Sequence, residues 1–347
     1  AHLEIGKALD RRPLPGSQQS LPVVIRPGRR PDTTVEEPRI VWEDEEGGLA
    51  VLFKPPGWEV DDDTSVPTGR KLSEYLQGRY PQSCISRDAH HCHGIIHRLD
   101  LPSSGLILVG TSFEGYYRLK WQLDTAQIVR EYAVVCHGWA NPLLREIDVP
   151  VYHVAAGSAA ESAQPPRRSP ARSTVTEMGK PAKTLLRVLG HLSRGEERFS
   201  LLAIRICTGR RHQIRTHLQH VGHPTVCDGK YTRASVFIAD LSWCPRNFLH
   251  RQRLEFRDAQ HLPREAIEPL PVDLRNALRK LRPVGEESRV AVCGWLEGHK
   301  PMPWDQYEVL EAAEGVAYDT HPSALARPAE SACKYDMARP GGAAGGE

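Results

Sequence analysis

The sequence lacks a CxxC pair, an HExxH helix, a GxSxG elbow, a GxGxxG turn and a P-loop lysine motif. The common signatures of zinc, serine-hydrolase and nucleotide-phosphate chemistry are therefore missing. It also lacks any apolar run near the roughly 18–20 residues that span a bilayer, which argues against an integral membrane protein. Eight cysteines (Cys84, Cys92, Cys136, Cys207, Cys227, Cys244, Cys293 and Cys333) are scattered without regular spacing. A chain of 347 residues needs no disulfide framework. The cysteines read as reduced, mostly buried small side chains, and imply a reducing intracellular compartment. A strong charge of one sign is absent too: 45 Lys+Arg face 43 Asp+Glu, for a net charge of +2. Taken over the whole chain, that balance speaks against a protein that coats polyanions.

What is present looks globular, with 40% hydrophobic and 25% charged residues. Gly and Pro number 28 each, an excess that points to loop-rich tails or insertions. Residues 1–37 are Pro- and Arg-rich without an apolar period and read as an extended arm. Ile40-Val41-Trp42 and Leu49 to Phe53, around an acidic turn ending at Gly48, read as a hairpin or adjacent strands, stopped by Pro55 and Pro56. A buried strand is expected over 105–110, a helix over 112–122 and a strand over 128–136. Further strands are expected at 184–190 and 199–207. His212 to Val221 should be a short helix with Ile214, Leu218 and Val221 on one face. Residues 155–173 are low-complexity and read as a flexible insertion, and 286–347 as an irregular extension. The expected architecture is one mixed α+β domain over 38–285.

Three clusters carry chemistry. Asp88-Ala89-His90-His91-Cys92-His93, with Cys84 nearby, offers metal-ligand types, but its spacing fits no standard zinc site, and a polar loop is the better reading. The segment 205–233 breaks the charge balance: Arg205, Arg210, Arg211, Arg215, Lys230 and Arg233 stand against Asp228 alone, among four histidines, His212, His217, His220 and His223. Guanidinium groups at a turn leading into a helix suit phosphate oxygens, although a solvated charged face has the same composition. Third, His97-Arg98-Leu99-Asp100 precedes Ser103-Ser104-Gly105. A loop carboxylate there either caps backbone N–H groups or is a catalytic acid held by an arginine, and spacing alone favours capping.

Together, HRLDLPSSG at 97–105, REYAVVCHG at 130–138, TGRRHQIRTH at 208–217 and GHPTVCDGKY at 222–231 resemble the RluA-type pseudouridine synthases. IVWEDEEGGLAVLFKPPG at 40–57 and CPRNFLHRQRLEF at 244–256 extend the resemblance, in order, across residues 39–258. It implies a mainly antiparallel central sheet with flanking helices, and isomerisation of uridine in RNA to its C-glycoside, pseudouridine, with no metal and no organic cofactor.

By the resemblance, Asp100 is the essential aspartate, which either attacks the nucleotide or takes a ribose proton. Arg215 is the arginine that pairs with it. Tyr132 is the tyrosine whose ring stacks on the base and whose hydroxyl assists proton removal at C5. Either role of Asp100 needs an ionised carboxylate in a water-poor pocket, and hence a nearby cation. Leu249 lines the uracil pocket, and Arg98 fills the stack vacated by the flipped nucleotide. Lys54, Arg210 and Arg211 are candidates for phosphate contacts. His97, His212 and Gln213, within the same blocks, complete the expected binding set. Phe53 stands where the family usually has Asn, Ser103 where it has Thr, and Arg130 where Lys is common. The implied partner is ribosomal or transfer RNA; because nothing in the sequence suggests an exposed apolar stripe, a monomer is expected, associated with the ribosome or acting alone. The rival reading is a catalytically silent RNA clamp in a ribonucleoprotein particle, which loss of the aspartate would have favoured.

Overall fold

The computed structural model describes residues 23–25, 37–60, 70–154, 172–298 and 304–321. Most of the N-terminal arm and nearly all of the expected 155–173 insertion lie outside them. Strands are β1 (Val23–Ile25), β2 (Arg39–Asp44), β3 (Leu49–Lys54), β4 (Ser104–Gly110), β5 (Val129–His137), β6 (Glu146–Asp148), β7 (Val151–Val154) and β8 (Arg172–Val175). They continue with β9 (Lys183–Arg194), β10 (Glu197–Ile206), β11 (Leu249–Arg257), β12 (Pro263–Ile267) and β13 (Arg282–Val284). Helices are α1 (Leu72–Arg79), α2 (Phe113–Asp124), α3 (Gln213–His220), α4 (Ala234–Leu241), α5 (Val272–Leu278) and α6 (Glu286–Glu297).

The main sheet runs β13-β9-β10-β5-β11-β4-β3-β2, with β1, β6 and β12 attached at its margins. Neighbours are antiparallel except β11 with β4 and β1 with β12. The fold is the mixed α+β class with a mainly antiparallel sheet. Successive side chains of a strand point to opposite faces, and here both faces are covered. Tyr132, Val134 and Cys136 of β5 join Leu202 and Ile204 of β10 on one side, under Ile214 and Leu218 of α3. Ala133 and Val135 pack on the other side with Phe199, Phe248, Leu274 and Val292. Double-sided burial explains why these strands read as nearly continuous apolar runs.

Gly105 is where β4 meets β11. Its φ is +133°, and a Cβ there would lie 2.3 Å from the Arg251 carbonyl oxygen. Only glycine permits that conformation and that approach.

Three expectations are corrected. The chain beyond Gly285 does not turn irregular at once: α6 follows, and Trp304, Tyr307 and Leu310 are buried against the domain. Residues 319–321 then bond to Trp139, Asn141 and Val221. The cysteines among the described residues are free but not mostly buried: only Cys136, Cys227 and Cys244 are, while Cys84, Cys92 and Cys293 are exposed. Finally, the ground for expecting a monomer, though not the monomer itself, is overturned: that ground was the absence of an exposed apolar stripe. Phe113, Tyr117 and Trp121, spaced one turn apart on α2, form one. Among the described residues no helix is long and apolar enough to cross a membrane.

Candidate active site

Beneath the loop that joins residue 95 to β4 lies a cavity of about 500 Å3, lined by Asp100, Tyr132, Arg215, Leu249 and Arg251 among others. That volume suits a nucleotide-sized ligand. Each wall comes from a different element: Tyr132 from β5, Leu249 and Arg251 from β11, Arg215 from α3. Asp100 stands on the loop before β4, and three neighbouring carbonyls pin that loop. The Leu101 oxygen accepts from the Gly57 N–H at 2.8 Å, the Pro102 oxygen from Arg246 Nη1 at 3.3 Å and the Ser103 oxygen from Lys54 Nζ at 2.7 Å.

Asp100 Oδ2 accepts from Arg215 Nη1 at 2.8 Å. The opposite edge of the same guanidinium forks onto Asp228, Nε to Oδ2 at 2.7 Å and Nη2 to Oδ1 at 2.6 Å. Burial pushes the Asp100 carboxyl toward its neutral form, but the Arg215 charge overrides it and holds the pKa well below the usual carboxylate range. Asp100 is therefore ionised at neutral pH.

His212 opens α3 in a left-handed conformation at φ 55° and sits 4.0 Å from Asp100. Burial and the cations Arg215, Lys230 and Arg211 outweigh Asp100 and lower its pKa to about 4, so it is neutral at neutral pH. His97, also lining the cavity, is held well below its ordinary value by burial and by Arg251 and Arg130.

Of the residues expected from sequence, Asp100, Tyr132, Arg215, Arg98, Leu249, His97, His212, Arg210 and Gln213 line this cavity. Lys54 does not serve as a phosphate contact. Its ammonium is fully buried and donates to the carbonyls of Pro55, Leu101 and Ser103, so it braces the Asp100 loop. Burial, reinforced by Arg246, lowers its pKa to about 7. Gln213 is likewise committed to the protein. Its Nε2 donates to the Lys183 carbonyl and Thr184 Oγ1, and its Oε1 accepts from Thr208 Oγ1 and the Arg210 N–H. It shapes the 208–212 turn and has no amide group left for RNA. Arg211 does not line the cavity.

The cationic character is real but differently sourced. Five arginines, Arg98, Arg130, Arg210, Arg215 and Arg251, line the cavity against Asp100 and Asp124. Only two of them come from the 205–233 block. Arg205 of that block pairs with Glu131, and His217 bonds to Thr184 Oγ1 and the Val149 carbonyl.

Sequence reasoning missed Arg251, Arg246 and the bracing by Asp228. The strand sequence LHRQRLEFR carries no signal that sets Arg251 apart from Arg253 and Arg257.

The Asp88–His93 loop folds on itself: His91 Nδ1 lies 2.8 Å from Asp88 Oδ2, and His91 Nε2 lies 2.7 Å from the Tyr117 hydroxyl. Among the described residues no three His, Cys, Asp or Glu side chains converge as metal ligands.

Comparison with known proteins follows the same outline. A family model described as RNA pseudouridylate synthase matches residues 48–220. Ribosomal large subunit pseudouridine synthase D of Escherichia coli K12 is 30% identical over 269 residues, covering 74% of each chain. The protein of the same name from Yersinia pestis is 31% identical over 260 residues, covering 72% of each. Human RNA pseudouridylate synthase domain containing 1 shares the fold, with a TM-score of 0.52 and 20% identity over 79% of this chain and 100% of that one.

Proposed function

The chain belongs to the RNA pseudouridylate synthase family, and on that premise we propose that Asp100, Tyr132 and Arg215 carry the isomerisation of a flipped-out uridine in the cavity. The protein is an RNA pseudouridine synthase, an isomerase acting on RNA. The observation that carries the site reading is the ionised Asp100 carboxylate, aimed into the cavity and held by one bond from Arg215.

The reaction breaks the N1–C1′ bond, turns the base and joins C5 to C1′, with the C5 proton lost and a proton gained at N1. An ionised Asp100 is equipped to engage the ribose side of that bond, as nucleophile or as base. Tyr132 and Leu249 supply the flat and apolar walls against which the uracil ring turns. A uridine reaches this depth only by leaving its stack, at a few kcal/mol, and Arg98, which lines the cavity, is the side chain that would fill the gap. Arg210 is the phosphate-binding candidate, with its Nε on the Pro181 carbonyl at 3.0 Å.

Ribosomal RNA of the large subunit is the first substrate to test, because the bacterial relatives are named for it; transfer RNA is the second. Monomeric action in a reducing compartment, with or without ribosome association, completes the proposal.

Pseudouridine mapping of all cellular RNA, with and without the protein, tests it. One or a few sites should vanish with the protein. A map unchanged at every site would favour the silent clamp.

A further inference from the structure

Arg251 is the largest fully buried side chain among the described residues. No carboxylate among those residues lies within ion-pair distance of it, whereas Arg215, Arg246 and Arg253 all have one. A buried cation without a counter-charge is costly unless its donors are satisfied, and here each of the five N–H groups of the guanidinium has an acceptor. Nη1 donates to His97 Nδ1 at 2.6 Å and to the Leu106 carbonyl at 3.0 Å. Nη2 donates to the Arg98 carbonyl at 2.9 Å. The remaining two, Nε at 2.9 Å and Nη2 at 2.6 Å, fork onto the hydroxyl oxygen of Tyr132.

The backbone enforces this arrangement. Arg251 and Tyr132 are direct partners across β11 and β5, and the ladder slips by a residue just after Arg251. Such a bulge re-aims a side chain. On the other edge Arg251 is partnered by Gly105, whose missing side chain lets β4 come close. The neutral imidazole of His97 can accept from the guanidinium, which fixes the far end of the fork.

A phenol oxygen that accepts two N–H bonds retains one O–H to give. Among the described residues that proton has no acceptor, and Tyr132 lines the cavity. We propose that Arg251 is the positioning residue for Tyr132, occupying the acceptor side of its oxygen so that the hydroxyl donates into the cavity, to a carbonyl of the uracil ring. This rests on the reading of the cavity as the uridine site. Tyr132 then orients the base as a donor. Lysine could not substitute, because one ammonium cannot reproduce a planar fork.

The test is single-turnover pseudouridine formation on total RNA from cells lacking the protein, for Arg251→Met, Arg251→Lys, Tyr132→Phe and the Arg251→Met/Tyr132→Phe double variant. Arg251→Met and Tyr132→Phe should each slow the reaction roughly 10- to 100-fold, the scale of a misplaced reacting group, with RNA retention unchanged. The double variant should be no slower than the slower single. A wild-type rate for Arg251→Met, or multiplying losses in the double variant, would overturn the inference. If Arg251→Met does not fold, Arg251→Lys carries the test: it should be slow, and a wild-type rate overturns the proposal. The Arg251 Nε–H resonance of the wild type should also be protected from exchange and shift in Tyr132→Phe; an unshifted resonance counts against it. A wild-type rate for Tyr132→Phe beside an inactive Asp100→Asn sinks the positioning inference alone. An active Asp100→Asn sinks the site reading itself.

Discussion

Asp100 and Arg215, 115 positions apart in sequence, meet through a 2.8 Å bond from Nη1 to Oδ2. The guanidinium has little freedom of its own, because Asp228 grips its other edge through two bonds. One cation therefore serves two carboxylates, and the fully buried Asp228 fixes the direction of the bond to Asp100. Asp228 is in turn held by Thr225 Oγ1 at 3.0 Å and by the Lys230 N–H at 3.0 Å.

Asp228→Asn should therefore weaken catalysis without touching the cavity. It removes the charge that orients Arg215, and breaking a buried pair typically costs about 3–5 kcal/mol of stability. The variant is expected to unfold at lower urea and to convert RNA roughly 100-fold more slowly, as a misaimed group does. Urea titration and a single-turnover assay check both; an equally stable, fully active protein would contradict the bracing role.

Lys54 makes stability depend on alkaline pH. Its folded pKa is about 7 against 10.5 as the ordinary value. Between those values the unfolded chain holds a proton that the folded chain has lost, so stability from this group rises with pH across that window and is flat below it. Urea midpoints at pH values from 7 to 9 should rise for the wild type relative to Lys54→Met, which should also be less stable at every pH. Parallel curves would show that the ammonium is not buried as described.

The sequence was most legible where function and fold coincide locally. The blocks at 97–105 and 208–217 supply Asp100 and Arg215, and the apolar period placed α3 within a residue at each end. Long-range partners were not legible. A lysine after a strand reads as a surface cation, and only carbonyls 47 and 49 positions away turn Lys54 inward. Gln213 reads as a ligand of RNA until Lys183, 30 positions away, takes its amide. Arg251 hides in a basic strand because its acceptors come from three other segments. Helix α6 escaped notice because its apolar face is weak: only Ser288 and Val292 are buried along it.

Gly105→Ala tests the closeness of β4 and β11. A methyl group would meet the Arg251 carbonyl oxygen at 2.3 Å, its nitrogen at 2.6 Å and its Cβ at 2.7 Å, on a backbone at φ +133°. Strain and overpacking together should cost about 3 kcal/mol or more, and the displaced Arg251 should lower the isomerisation rate as well. Thermal unfolding reads the first effect; a midpoint equal to the wild type would contradict the register.

Ending the chain at Gly298 removes Trp304, Tyr307 and Leu310 from the two faces of the sheet. It also removes the bond from the His321 N–H to the Val221 carbonyl at the end of α3. Each buried side chain is worth about 1.5–3 kcal/mol, so the shortened chain should melt well below the full one. Equal melting temperatures would mean that the segment rests on the domain without supporting it.

The central claim is that the Asp100 carboxylate performs the isomerisation. The direct measurement is pseudouridine mapping in cells lacking the protein, complemented by the wild type or by Asp100→Asn at equal abundance. Wild type should restore the missing sites, and Asp100→Asn should restore none while still binding RNA to within a few-fold. Restoration of those sites by Asp100→Asn would contradict the account.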